Sequence, residues 1–159
     1  MRRTMLTSKI HRATVTEADL NHVGSLTLDP VLMEAADLLV GEQVAIVDVD
    51  NGSRLETYII EGERGSGVVR INGAAARLVT PGDIVVIIAY ESVEEGEIGK
   101  REPRVVFVDE ADRIAHVGSD PASWPGNTGR SRAPCPLPGG QGRGVTPPRP
   151  REAIRGSGT

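Results

Sequence analysis

A single cysteine, Cys135, occurs in 159 residues, which excludes a disulfide framework and any cysteine-based zinc site. The three histidines, His11, His22 and His116, have no metal-ligand spacing. No apolar run approaches the roughly 20 residues a bilayer-spanning helix needs, so no membrane association is expected. The first nine residues, Met-Arg-Arg-Thr-Met-Leu-Thr-Ser-Lys, carry charge but no apolar h-region. That excludes a secretory signal and makes the cytoplasm the expected location. No GxSxG elbow anchors a serine-hydrolase reading. The glycine-rich run Gly62-Glu63-Arg64-Gly65-Ser66-Gly67 lacks GxGxxG spacing and reads as a hairpin turn, not a nucleotide loop.

Charge divides what is there. Residues 1–116 hold 12 Lys/Arg against 20 Asp/Glu, whereas residues 117–159 hold 6 Arg against 2 acids. The second stretch also holds 8 of the 11 prolines and 9 of the 19 glycines, a composition that predicts a disordered tail. The expected folding unit is therefore 1–116, large enough to bury one core. Its acidic balance argues against a nucleic-acid partner.

Pattern along the chain predicts many short strands. Residues 5–15 and 23–28 read as strands, and Thr16 with Asp19 predicts one helical turn over 17–21. Asp29-Pro30 marks a helix start, with Leu32, Ala35, Ala36 and Leu39 as its apolar stripe and Gly41 as its stop. Strands 43–49 and 54–60 flank Asn51-Gly52, the preferred pair for a type I′ hairpin turn. A strand over 67–72, a short helix over 73–78 and a turn at Pro81-Gly82-Asp83 follow. Residues 84–90 are apolar throughout and predict a strand buried on both faces, and 104–108 predict the last strand. Such a series, with only short helices, predicts a mainly β, closed-barrel fold.

Gly-Ser pairs have a special chemistry. The serine hydroxyl can attack the preceding carbonyl, and glycine leaves that approach open. β-Elimination from the resulting ester yields dehydroalanine, which hydrolyses to a pyruvoyl group. Five Gly-Ser pairs occur, beginning at 24, 52, 65, 118 and 156, so the dipeptide alone selects none of them.

Context does select one. The stretch Leu6-Thr7-Ser8-Lys9-Ile10-His11-Arg12, followed by Ala18-Asp19-Leu20-Asn21-His22-Val23-Gly24-Ser25, resembles the N-terminus of aspartate 1-decarboxylases. These are pyruvoyl-dependent enzymes that make β-alanine. The resemblance continues in order through Asn51-Gly52-Ser53-Arg54-Leu55-Glu56-Thr57-Tyr58, Gly62–Ser66, Ile71–Ala76 and Pro81–Val85. Two positions depart from it: His22 stands where the family usually has tyrosine, and Arg77 where histidine is more usual.

The resemblance implies a double-psi β-barrel assembled as a homotetramer, with sites between subunits. It implies autocatalytic cleavage at Gly24–Ser25 into 1–24 and 25–159, with Ser25 becoming the pyruvoyl group that engages the substrate amine. No PLP and no metal is then required. L-Aspartate would lose its α-carboxylate to give β-alanine for pantothenate biosynthesis. Lys9 and Arg54 are the matching cations for its carboxylates, Arg being suited to a bidentate pair. Tyr58 is the proton donor to Cα. Thr57 is assigned to maturation near the Gly24 carbonyl, although a regular strand would turn it away from Tyr58. Asn72 is a donor to the maturation oxyanion, and the N–H groups of Gly73, Ala74 and Ala75 are carboxylate binders. His11 has a supporting or structural place. Two competing readings stay open: a non-catalytic barrel that binds a partner, and a pyruvoyl decarboxylase of another acidic amino acid.

Overall fold

The computed structural model describes residues 1–122, and the reading of the later residues as a disordered tail lies outside that range. Nine strands form one sheet: β1 (Arg2–Thr14), β2 (Glu17–Asp19), β3 (Ser25–Leu28), β4 (Gln43–Asp48), β5 (Arg54–Glu61), β6 (Val69–Asn72), β7 (Ile84–Glu94), β8 (Arg104–Val108) and β9 (Ile114–Gly118). One α-helix, α1 (Pro30–Ala36), follows β3, and a 3-10 helix, Gly73–Leu78, follows β6. The sheet order is β2-β6-β3-β5-β4-β7-β1-β8-β9. Past the end of β1, Val15 N bonds Asp83 O, just before β7, and Thr16 N bonds Val69 O, at the start of β6, both at 2.8 Å. The architecture is mainly β with short helices, as expected.

Strand periodicity builds the core. On β4, Val44 and Ile46 are buried while Ala45 and Val47 are half-buried on the other face. On β7, Val85, Ile87 and Ala89 are buried, but Val86 and Ile88 are not. The expectation that this strand is enclosed on both faces is therefore corrected, since within one chain no layer covers its outer side. The pairs Val47↔Val86 and Ala45↔Ile88 make that outer side a continuous apolar patch.

Other local expectations are also corrected. Residues 17–19 are a strand, pairing in parallel with β6, and not a helical turn. Thr16 Oγ1 exchanges bonds with the backbone of Val69, and Asp19 accepts from Asn21 N at 2.9 Å, so neither is free to cap a helix. Helix α1 ends at Asp37, in left-handed conformation at φ +57°, not at Gly41, and Leu39 is exposed. The β4–β5 hairpin forms, but only Gly52 has positive φ, so its turn is not type I′. Asp48 accepts from Asp50 N and Asn51 N and nucleates a wider loop. β8 is not the last strand, because β9 pairs with it and runs to Gly118.

Asp29 organises the region below β3. Its buried carboxylate accepts from Val31 N at the start of α1, and from Gly65 N and Gly67 N at 2.9 and 2.7 Å. The glycine-rich run is thus a turn held by a carboxylate. Burial alone would raise the Asp29 pKa, but the three backbone donors and the Arg64 guanidinium hold it below the ordinary value. A depressed folded pKa contributes stability above the unfolded value of about 3.9, lost as pH falls through the folded one. Asp29→Asn should cost about 1–3 kcal/mol by leaving an N–H unsatisfied. Denaturation midpoints against pH should fall steeply in acid for the wild type and less so for the variant. Parallel curves would remove Asp29 as the source.

Candidate active site

β3 opens on an unusual pair of backbone conformations. Gly24 has φ +114° and Ser25 φ +108°. Glycine adopts such angles freely, whereas serine is strained there. Ser25 is nevertheless 2% exposed, because β6 and the 3-10 helix enclose it. The antiparallel register sets Ser25 opposite Asn72. Asn72 Nδ2 donates to Ser25 Oγ at 3.0 Å and to Thr27 Oγ1 at 2.9 Å. Alternation puts Ser25, Thr27 and Asn72 on one face, while Leu26 and Ile71 enter the core. Asn72 Oδ1 is buried without a partner.

Gly73 presses directly on the turn before Ser25. Its φ is +67°, and a Cβ there would lie 2.9 Å from Gly24 Cα and 3.1 Å from the His22 carbonyl oxygen. No side chain caps the 3-10 helix that it begins. Ala74 is exposed and Ala75 half-buried, and Arg77 is exposed in the last turn. His22, at the same turn, has its Nδ1 buried and unpartnered.

β5 runs parallel beside β3, with Leu26 opposite Ile59. Continued one step back, that register would set Tyr58 opposite Ser25, on the face away from Ile59. Tyr58 is 45% exposed and makes no side-chain hydrogen bond among the described residues, unlike a core aromatic. Arg54 shares that face and is exposed, with no ion pair among the described residues. Thr57 is half-buried on the opposite face with Leu55 and Ile59, and β5 keeps a regular register with β4. One chain therefore does not bring Thr57 to the face of Ser25.

Lys9 lies on a strand that does not pair with β3. It sits on β1 between Ile88 of β7 and Val105 of β8. Lys9 also has no ion pair among the described residues. His11 packs edge-on against Phe107, at 5.5 Å and 65°, and Phe107 against His116 at 6.0 Å. Thr27 is the residue that sequence reasoning missed. Its signal is the spacing Ser25-x-Thr27, which in a strand places two hydroxyls on one face.

Among the described residues, no group of three or more His, Cys, Asp or Glu side chains is arranged to hold a metal ion. None of their helices is long and apolar enough to cross a membrane. A protein-family model described as aspartate decarboxylase matches residues 1–115. Among solved structures, the chain is similar to a computationally designed double-psi β-barrel protein (msDPBB_sym2), at 22% identity and a TM-score of 0.35. That match covers 55% of this chain and 99% of the designed one. It is also similar to a rationally designed barrel of the same type (mkDPBB_sym_86), at 20% identity and a TM-score of 0.37, covering 53% and 95%.

The contact at Gly73 is testable without reference to any activity. Gly73→Ala adds a left-handed penalty of about 1–2 kcal/mol and a methyl group against backbone that has no side chain to move aside. Its thermal midpoint should drop clearly, while Ala74→Gly at the exposed neighbour should change it little. Equal midpoints for Gly73→Ala and wild type would show that the 22–24 turn yields at no cost.

Proposed function

The chain belongs to the aspartate decarboxylase family, and we propose that it cleaves itself at Gly24–Ser25 and then removes the α-carboxylate of L-aspartate to give β-alanine and CO₂. The observation that carries this reading is the state of Ser25: buried, left-handed after a left-handed glycine, with its Oγ held by Asn72. An ordinary surface turn needs none of these features.

In the first step Ser25 Oγ attacks the Gly24 carbonyl carbon. The new C–O bond replaces the C–N bond, and the hydroxyl proton passes to the Ser25 nitrogen. Backbone strain at φ +108° in the starting chain favours leaving the amide. Loss of the Ser25 Cα proton then expels the Gly24 carboxylate and leaves dehydroalanine. Water adds to its imine tautomer, ammonia departs, and residue 25 heads fragment 25–159 as a pyruvoyl group. Asn72 Nδ2 orients the hydroxyl before attack, and must swing to the Gly24 oxygen to act on the oxyanion.

A pyruvoyl carbonyl supplies the electron sink that ordinary side chains lack. The enclosure of Ser25 by Asn72, Thr27 and the 3-10 helix fits such a group, and the reading needs neither PLP nor a metal. Tyr58 is the proton donor to the substrate Cα after CO₂ leaves. Arg54 grips a carboxylate from the same face, and the N–H groups of Gly73 to Ala75 serve the other end of the substrate. In this reading Lys9 grips the second carboxylate, within a homotetramer whose sites lie between subunits. The outer patch of Ala45, Val47, Val86 and Ile88 supports the same assembly, because it leaves apolar surface for a neighbour to cover. Thr57 then acts across that boundary. The proposed setting is the cytoplasm, and the product feeds pantothenate synthesis.

Intact mass under denaturing conditions should show fragments 1–24 and 25–159, the second beginning with pyruvoyl. Ser25→Ala should give one whole chain. A wild-type protein still whole after long warm incubation and in its native host would overturn the enzyme reading and favour a non-catalytic barrel.

Roles separate kinetically. Tyr58→Phe should mature and bind L-aspartate but lose most turnover. Arg54→Ala should raise KM by roughly tenfold to a hundredfold, the equivalent of about 1.5–3 kcal/mol for a charged hydrogen bond. Wild-type kcat in Tyr58→Phe would eliminate Tyr58 as the donor.

A further inference from the structure

An apolar cleft of about 410 Å³ lies far from Ser25 in the sheet order, among β1, β7 and the 95–103 connection. Met5, Leu6, Val93, Ile98, Pro103 and Pro121 supply its apolar lining. The cleft opens where β1 carries an extra residue, Thr7, between the pairs Leu6↔Tyr90 and Ser8↔Ala89. Two of its residues, Met5 and Ile98, remain 36% and 37% exposed. Such side chains on one concavity form a socket with nothing described inside it.

We propose that the socket takes Trp124 of the same chain. Three observations select this occupant. Pro121 is itself part of the lining, so the chain is already at the cleft wall three residues before Trp124. Only Ser123 separates Ala122 from Trp124 in sequence, a reach of about 7 Å between their Cα atoms at full extension. Trp124 is also the only tryptophan in the sequence, set between Ser123 and Pro125 in a stretch otherwise short of large apolar side chains.

Charge points the same way. Asp37, Glu97 and Glu102 line the cleft without an ion pair among the described residues, against one such cation, Arg104. Residues 123–159 hold six arginines and one acid, Glu152. The acidic rim and the basic segment are complementary in charge, an attraction that weakens with salt. The indole brings apolar area to side chains that otherwise stay wet, and its N–H can face the polar rim. Docking staples the end of the described chain to β1 and β7. It asks nothing of Ser25 and is independent of the proposed reaction.

The lone tryptophan makes the test direct. Fluorescence of the full-length chain should be blue-shifted relative to free tryptophan and protected from acrylamide. Ile98→Asp, and the milder Ile98→Ser, should shift emission to the red and raise quenching several-fold with little change in thermal midpoint. Val49→Asp, at an exposed residue of the β4–β5 loop, should leave both signals as in wild type. High salt should move the wild type part of the way toward the Ile98 variants. Wild-type emission like that of free tryptophan would overturn the proposal. So would protection that persists in the folded Ile98 variants, or protection that appears only as protein concentration rises, which would place a second copy in the cleft.

Discussion

The arrangement around Ser25 depends on one buried carboxylate. Asp29 follows β3 directly, and its two oxygens receive N–H groups from the first turn of α1 and from the β5–β6 connection. The adjoining backbone is bound from the same quarter, by Asp29 N to Val68 O and Gly62 N to Leu28 O. A four-residue strand has little ladder of its own. Held at its far end in this way, β3 keeps its near end, Ser25, in a conformation that serine does not choose freely.

The period-2 pattern made most strands legible, because Val44/Ile46 and Val85/Ile87 alternate with residues that face outward. What stayed hidden depends on partners distant in sequence. Residues 17–19 become a strand only because β6, some fifty residues later, offers a parallel edge. β9 shows no apolar period, since Ile114–Val117 are all exposed and only the pairing with β8 defines it. The outer face of β7 read as core because apolar residues such as Val86 and Ile88 look the same in sequence whether fully or only half-buried.

The candidate site divides in the same way. Composition could not separate Gly24-Ser25 from four other Gly-Ser pairs, and it was the resemblance to aspartate decarboxylases that singled it out. Geometry then adds what the dipeptide lacks: burial, left-handed φ and the Asn72 amide. Tyr58 lies one residue before Ile59, the partner of Leu26, and its exposure separates it from a core aromatic. Lys9 shows the opposite case. A spacing along the chain cannot reveal that Lys9 and Ser25 lie on strands that do not pair.

The two ends of the sheet carry a further consequence. β2 has three residues and β9 five, so neither exposes a long row of free N–H and C=O groups. A foreign strand adding at either edge would gain only a few ladder bonds before running out of template. The longest strand of the described residues, β1, lies inside the sheet with a neighbour on each side. Edge-to-edge strand addition is thereby limited by strand order and length.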